Sequence, residues 1–243
     1  MSTLEIINIG IFAFIGAAWG SFAGVVIDRL MADESGIFLG RSRCDHTKKL
    51  LRWWELVPIF SYIFLGGKSA RSGKKIPIWY LLMELGFGLV FGLFAYQFFP
   101  EISANNWISP AFIMLTLFFS LLLFFYDARH FLVDRRISFP AIGLAFLWAI
   151  FQPEWTNLLL GGSIGFIFYW LQWKISKGKW VGQGDQELGL FMGLLLGWKG
   201  LLWGLLLSYI LGTIVAIGAM IFKKNMGLKS ALPMGAFLMP VLI

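Results

Sequence analysis

The chain has 243 residues, of which 58% are hydrophobic and only 14% charged, and its formal net charge is +7. A soluble domain carries about a quarter charged residues, so this composition excludes an ordinary soluble protein and points to one that lives in a bilayer. The positive charge is grouped in loops in a way that marks one membrane face and excludes nucleic acid as a partner.

In chain order, apolar runs bounded by charge predict helices over about 5–27, 78–99, 109–126, 137–152, 157–173, 186–198 and 200–222, and an eighth from Ala231 onward. The first run has no basic segment before it and no small-residue cleavage site after it, so it reads as a retained helix and not a signal peptide. Residues 31–77 form the one large polar stretch, expected as a small cytoplasmic lobe. Within it, "WWELVPIFSYIFLGG" is expected to lie as a short helix along the headgroups. The single cysteine, Cys44, permits no internal disulfide. The sixth and eighth runs are short for a crossing. Glycines in "GFGLVFG" and "GLLLGWKG" let membrane helices approach closely. The expected fold class is an all-α polytopic membrane protein with about eight transmembrane helices. It divides into a first helix (1–30), the lobe (31–77) and a transmembrane core (78–243).

Of the 20 lysines and arginines, ten lie between residues 29 and 75, three between 129 and 136, three between 174 and 179, and three between 223 and 229. Eight crossings put all four groups on one face and leave Lys199 alone on the other, beside loops that hold Glu101 and Glu154. Basic short loops stay in the cytoplasm, so both termini are expected outside.

Three acids fall near membrane depth on the cytoplasmic side. Asp127 ends the third run in "LLLFFYDARH", and Asp185 opens the sixth in "VGQGDQELG". Glu84 lies about two turns inside the second, roughly 10 Å from Pro77 at 1.5 Å per residue. Acids so placed are costly and usually face a bundle interior or a wet cavity. Gly182 and Gly184 remove side chains just ahead of Asp185, which lets backbone or substrate come close. Two facing aspartates share one proton, because both cannot easily ionise together. One then activates water while the other polarises a peptide carbonyl. Each aspartate alone reads equally well as a helix cap.

Five segments in order carry a family resemblance: "GSFAGVVIDRL", "LLRWWELVPIFSYIFLGGKSARSGKKIPIWYLLMEL", "YDARHFLVDRRISFP", "GQGDQELGLFMGLLLGW" and "LPMGAFL". Together they resemble the type IV prepilin leader peptidase family, membrane aspartic proteases of the GxGD kind. The resemblance implies Asp127 and Asp185 as the catalytic pair, with Gly182 and Gly184 supporting the GxGD turn. Asp134 is the rival of Asp127, and it reads also as a cap or as the partner of Arg135 or Arg136. Glu84 matches the family's membrane glutamate, and Glu55 a position in the loop implicated in methyl transfer. Structural roles suit both equally. The implied substrates are prepilins or pilin-like secretion proteins, whose short basic leader stays in the cytoplasm. The implied setting is the bacterial inner membrane, with the active site toward the cytoplasm and the lipid bilayer as the surrounding partner. Proteolysis needs no cofactor, whereas methylation of the new N-terminus uses S-adenosylmethionine.

The departures are specific. Many members carry two Cys-x-x-Cys pairs that suit zinc. Here the first reads Cys44-Asp45-His46-Thr47 and the second Ser69-Ala70-Arg71-Ser72. Three of four thiolate positions are absent, so no metal is assigned. Glu187 stands where many members place a lysine. Two other readings are a GxGD peptidase for another short-leader membrane protein, and a small proton-coupled transporter. Transport calls for acids near mid-membrane and inverted repeats, and neither is evident in the sequence.

Overall fold

A computed structural model describes residues 3–34, 37, 40–44, 47, 49–98, 108–222 and 233–242. The Glu101 loop, His46, the basic group at 223–229 and the expected start of the eighth helix at Ala231 lie outside them. The elements are α1 (Thr3–Met31), a 3-10 turn (Trp53–Leu56), α2 (Phe60–Phe64), α3 (Ile78–Phe98), α4 (Ile108–His130), α5 (Arg135–Ile150), α6 (Trp155–Ser176), α7 (Gln183–Phe222), α8 (Gly235–Leu238) and a final 3-10 turn (Met239–Leu242). Among the described residues the fold is all-helical, apart from two isolated β-bridges. Five helices, α1, α3, α4, α6 and α7, are long and apolar enough to cross a membrane. The chain divides into two units, Met1–Met114 and Leu115–Ile243.

In the first unit α1 packs on α3 along a strip of small residues. Gly16, Gly20 and Gly24 recur every four positions and so share one face. A β-carbon on Gly16 would stand 2.5 Å from the Phe87 carbonyl oxygen, and one on Gly20 would stand 2.7 Å from that of Met83. The two backbones therefore touch, which is how apolar helices gain attraction where water is absent. Glu5 in the first turn of α1 and Arg29 in its last complement the helix dipole. The Tyr80 hydroxyl of α3 donates to the Asp28 carboxylate, which ties the two ends together.

The lobe holds isolated bridges between Arg43 and Leu50 and between Lys68 and Lys75. Its aromatic stretch is not one headgroup helix but a 3-10 turn and the five-residue α2. The cause is local. Pro58 contributes no N–H, and Ile59 adopts φ 64°, ψ −54°, a strained conformation for a β-branched residue. The Phe60 N–H closes the tight turn onto the Pro58 carbonyl at 2.6 Å.

In the second unit α6 and α7 run antiparallel through interlocked glycines. A β-carbon on Gly165 would lie 2.1 Å from the Gly189 carbonyl oxygen, and one on Gly193 the same distance from that of Gly161. The sequence separates runs 186–198 and 200–222, whereas the structure joins them in α7, which folds back at Gly197. There φ is 68° and ψ 177°, a conformation that only glycine adopts freely. The contacts show the reversal. Gly193 meets Gly161 near the start of α6. Tyr209, beyond the break, meets Phe168 and bonds Gln172 at 3.2 Å, several turns later on the same helix. Asn157 holds the corner by accepting from the Trp198 N–H at 3.2 Å.

Candidate active site

The last turn of α4 and the first turn of α7 each carry a buried aspartate. Asp127 is 4% exposed and Asp185 8%. α4 ends because Phe131 turns left-handed at φ 57°, and its N–H closes onto the Asp127 carbonyl at 2.8 Å. Asp185 opens α7 by turning back to accept the Gly182 N–H at 2.7 Å. Asp127 accepts the Ala236 N–H, at the start of α8, at 2.9 Å. Both carboxylates are thus oriented by backbone donors, whose charge and position do not change when a proton moves.

Gly235 is the meeting point. A β-carbon there would lie 3.0 Å from the Asp127 Oδ2 and 2.8 Å from the Leu188 side chain, one turn after Asp185. The structure therefore brings Asp127 and the Asp185 turn together around α8. Gly184 has its own reason. A β-carbon on it would fall 2.4 Å from that of Val133, so the GxGD turn lies directly on the loop that follows α4. A β-carbon on Gly182 would lie in ordinary contact with the Asp185 carboxylate, 3.7 Å from its Oδ2.

Asp134 is placed otherwise. It is the N-cap of α5, accepting the Arg136 N–H at 2.8 Å and pairing with the Arg136 guanidinium at 2.8 Å. Burial acts to raise its pKa, but the bonds and charge of Arg136 outweigh this and hold the carboxyl below its usual range. Glu84 and Glu55 belong to the first unit. Glu84, buried in α3, accepts the N–H of the strained Ile59 at 2.7 Å and so fastens the lobe turn to the helix. Glu55 accepts the Arg52 N–H at 2.5 Å and pairs with Arg71 at 3.2 Å.

The sequence reading does not single out Gly235 and Ala236 of "LPMGAFL", or Val133. Nor does it find that Glu187 accepts from Arg135 at 3.0 Å and from the Ser138 hydroxyl. Opposite charges near the starts of two helices, Arg135 in α5 and Glu187 in α7, were the available signal for that pair.

The zinc site suggested by the family resemblance does not fit the donors present. Cys44 Sγ and Ser69 Oγ lie 3.5 Å apart, where two Cys pairs would converge. The Ser69 and Ser72 hydroxyls instead accept the N–H groups of Arg71 and Lys74, at 3.2 and 3.4 Å. One thiol and neutral hydroxyls do not supply a thiolate set for a tetrahedral ion. Purified, tag-free protein is therefore expected to contain no stoichiometric zinc by elemental analysis. One zinc per chain, lost on Cys44→Ser, would contradict this.

Comparison with known proteins gives one consistent result. Residues 14–98 match a family model described as the bacterial peptidase A24 N-terminal domain, and residues 114–217 one described as the type IV leader peptidase family. The chain is similar to curated proteins named prepilin leader peptidase/N-methyltransferase. The protein from Myxococcus xanthus is 30% identical over 217 residues, 85% of this chain and 62% of that relative. The one from Xanthomonas campestris is 30% identical over 84% of this chain and 70% of its own length. The one from Klebsiella pneumoniae is 31% identical over 82% of this chain and 90% of its own length. No solved structure matches the chain.

Proposed function

Because the chain belongs to the type IV leader peptidase family, we propose that it is an aspartic endopeptidase that removes the short basic leader of prepilins or pilin-like secretion proteins. The observation that carries the reading is the pair of buried aspartates, set at helix ends and joined around Gly235 and Ala236. In the reaction one carboxylate takes a proton from water as its oxygen attacks the scissile carbonyl carbon. The other, protonated, donates to the carbonyl oxygen. Collapse of the tetrahedral species breaks the C–N bond, and a proton passes to the leaving amine. The residues for this are Asp127 and Asp185, with Gly182 and Gly184 forming the turn that lets a peptide reach them. Where the reaction is followed by methylation, S-adenosylmethionine supplies the methyl group to the new amine.

The placement of charge supports the orientation. The two limbs of α7 count as separate crossings, which gives eight with the short α5 and the C-terminal segment. The lobe and the aspartates then face the cytoplasm of a bacterial inner membrane, and both termini face out. Labelling of single cysteines in a Cys44→Ser background checks this. Ala70→Cys is expected to react only from the cytoplasmic side and Lys199→Cys only from outside. Labelling of Ala70→Cys only from outside would place the aspartates on the wrong face. The function itself is tested in liposomes with a prepilin and, beside it, a preprotein bearing an ordinary secretory signal peptide. The first is expected to be cut and the second left whole. Cleavage of the second alone would assign another substrate.

A further inference from the structure

The Glu187 carboxylate has no part in the chemistry described, yet it is held at two points. Its side chain is 12% exposed, it accepts from the Arg135 guanidinium at 3.0 Å, and it accepts from the hydroxyl of Ser138, itself 1% exposed. Arg135 and Ser138 stand on the first turn of α5. Glu187 stands just past the first turn of α7, two residues after Asp185. The loop into α5 starts where α4 ends, four residues after Asp127, and its Val133 lies on Gly184. The segment 131–138 thus grips the GxGD turn twice, through an apolar contact ahead of Asp185 and a polar one behind it. Arg135 and Glu187 also line a groove of about 840 Å³ between α5, α6 and α7, together with Phe139, Phe146, Phe166 and Trp170.

We propose that Glu187 is a positioning residue, which with Arg135 and Ser138 fixes the Asp185 turn relative to the helix that carries Asp127. The charge at 187 must be negative here because a guanidinium faces it. Glu187 is the desolvated member of the pair, 12% exposed against 62% for Arg135, so reversing its charge sets a poorly solvated cation beside the guanidinium and takes the acceptor from the Ser138 hydroxyl. The inference rests on the peptidase reading for its activity measurement, so a second readout independent of substrate accompanies it.

The experiment compares Glu187→Lys, the conservative Glu187→Gln, and the swap Arg135→Glu with Glu187→Lys. Prepilin cleavage gives kcat and KM, and hydrogen exchange reports the amides of residues 182–189. Glu187→Lys is expected to lower kcat by about ten- to a hundredfold, with KM within about twofold, because small displacements of a catalytic group are amplified in rate. Exchange at 182–189 rises. The swap restores exchange and recovers kcat to within about threefold of the parent, since pair terms between contacting residues do not add. Glu187→Gln keeps the shape and is expected to fold, with an intermediate loss. Unchanged exchange at 182–189 in Glu187→Lys and Glu187→Gln would overturn the proposal, as would a loss in KM alone or a folded swap with no recovery. If the parent itself cuts no prepilin, the peptidase reading fails, and the exchange comparison still decides whether Glu187 holds the turn.

Discussion

Asp127→Asn and Asp185→Asn are each expected to abolish prepilin cleavage while leaving insertion and folding intact. Asparagine keeps the shape of the side chain and still accepts the Ala236 or Gly182 N–H through its carbonyl oxygen. It cannot take a proton from water or return one to the leaving amine. Loss of that general acid–base step removes typically a factor of 10² or more in rate. Removing a charge at this depth does not hinder insertion. Asp134→Asn is the internal control, because asparagine caps a helix as well as aspartate does, and it is expected to retain substantial activity. The measurement is the fraction of prepilin processed, set against the folded yield of each variant. Full cleavage by Asp185→Asn would end the aspartic-protease account. Loss with Asp134→Asn but not with Asp127→Asn would keep the mechanism and change the partner.

Gly165→Ala is expected to damage the fold severely. The added carbon would lie 2.1 Å from the Gly189 carbonyl oxygen and 2.7 Å from its carbon. Both are backbone atoms in a long helix, so no side chain can swing away and the helices must part. Such overpacking costs typically about 1–3 kcal/mol. Gly189 lies one turn after Asp185, so the displacement also carries the aspartate turn, and activity falls with stability. Gly143→Ala in α5 is the matched control, since nothing lies within 4 Å of the new carbon. It is expected to be neutral or to stabilise by about 0.4–1 kcal/mol, by restricting the unfolded chain. Thermal unfolding in detergent reads both. Equal melting of the Gly165→Ala variant and its parent would mean that α6 and α7 are not in backbone contact.

The long helices were legible because apolar runs stopped at charge. α1, α3, α4, α5 and α6 match the expected runs to within a few residues, and Pro77, Asp134 and Lys177 mark boundaries of α3, α5 and α6 plainly. The break at Gly197 was legible as a boundary, because Trp198 and Lys199 interrupt the run. Its form was not, because a reversal within one long element depends on a single glycine at φ 68° and on Asn157, which lies on another helix. The aromatic stretch of the lobe was misread for a similar reason. Its pattern suits a helix, but the Glu84 carboxylate, from α3, secures the left-handed Ile59 that divides it. At the candidate site, the sequence supplied Asp127 and Asp185 as acids at helix ends. It did not supply what holds them, since the amide on Asp127 comes from Ala236 and the brace on Glu187 from Arg135 and Ser138. Those partners are set by packing between helices, which no local pattern records.

The most direct test of the account is the intact mass of a prepilin after incubation with purified protein, in chelating buffer and without S-adenosylmethionine. The expected product has lost its leader and carries a free, unmethylated amine, because the two aspartates need neither metal nor cofactor to cut the bond. A prepilin left whole by folded enzyme, or cut only after metal is restored, would contradict it.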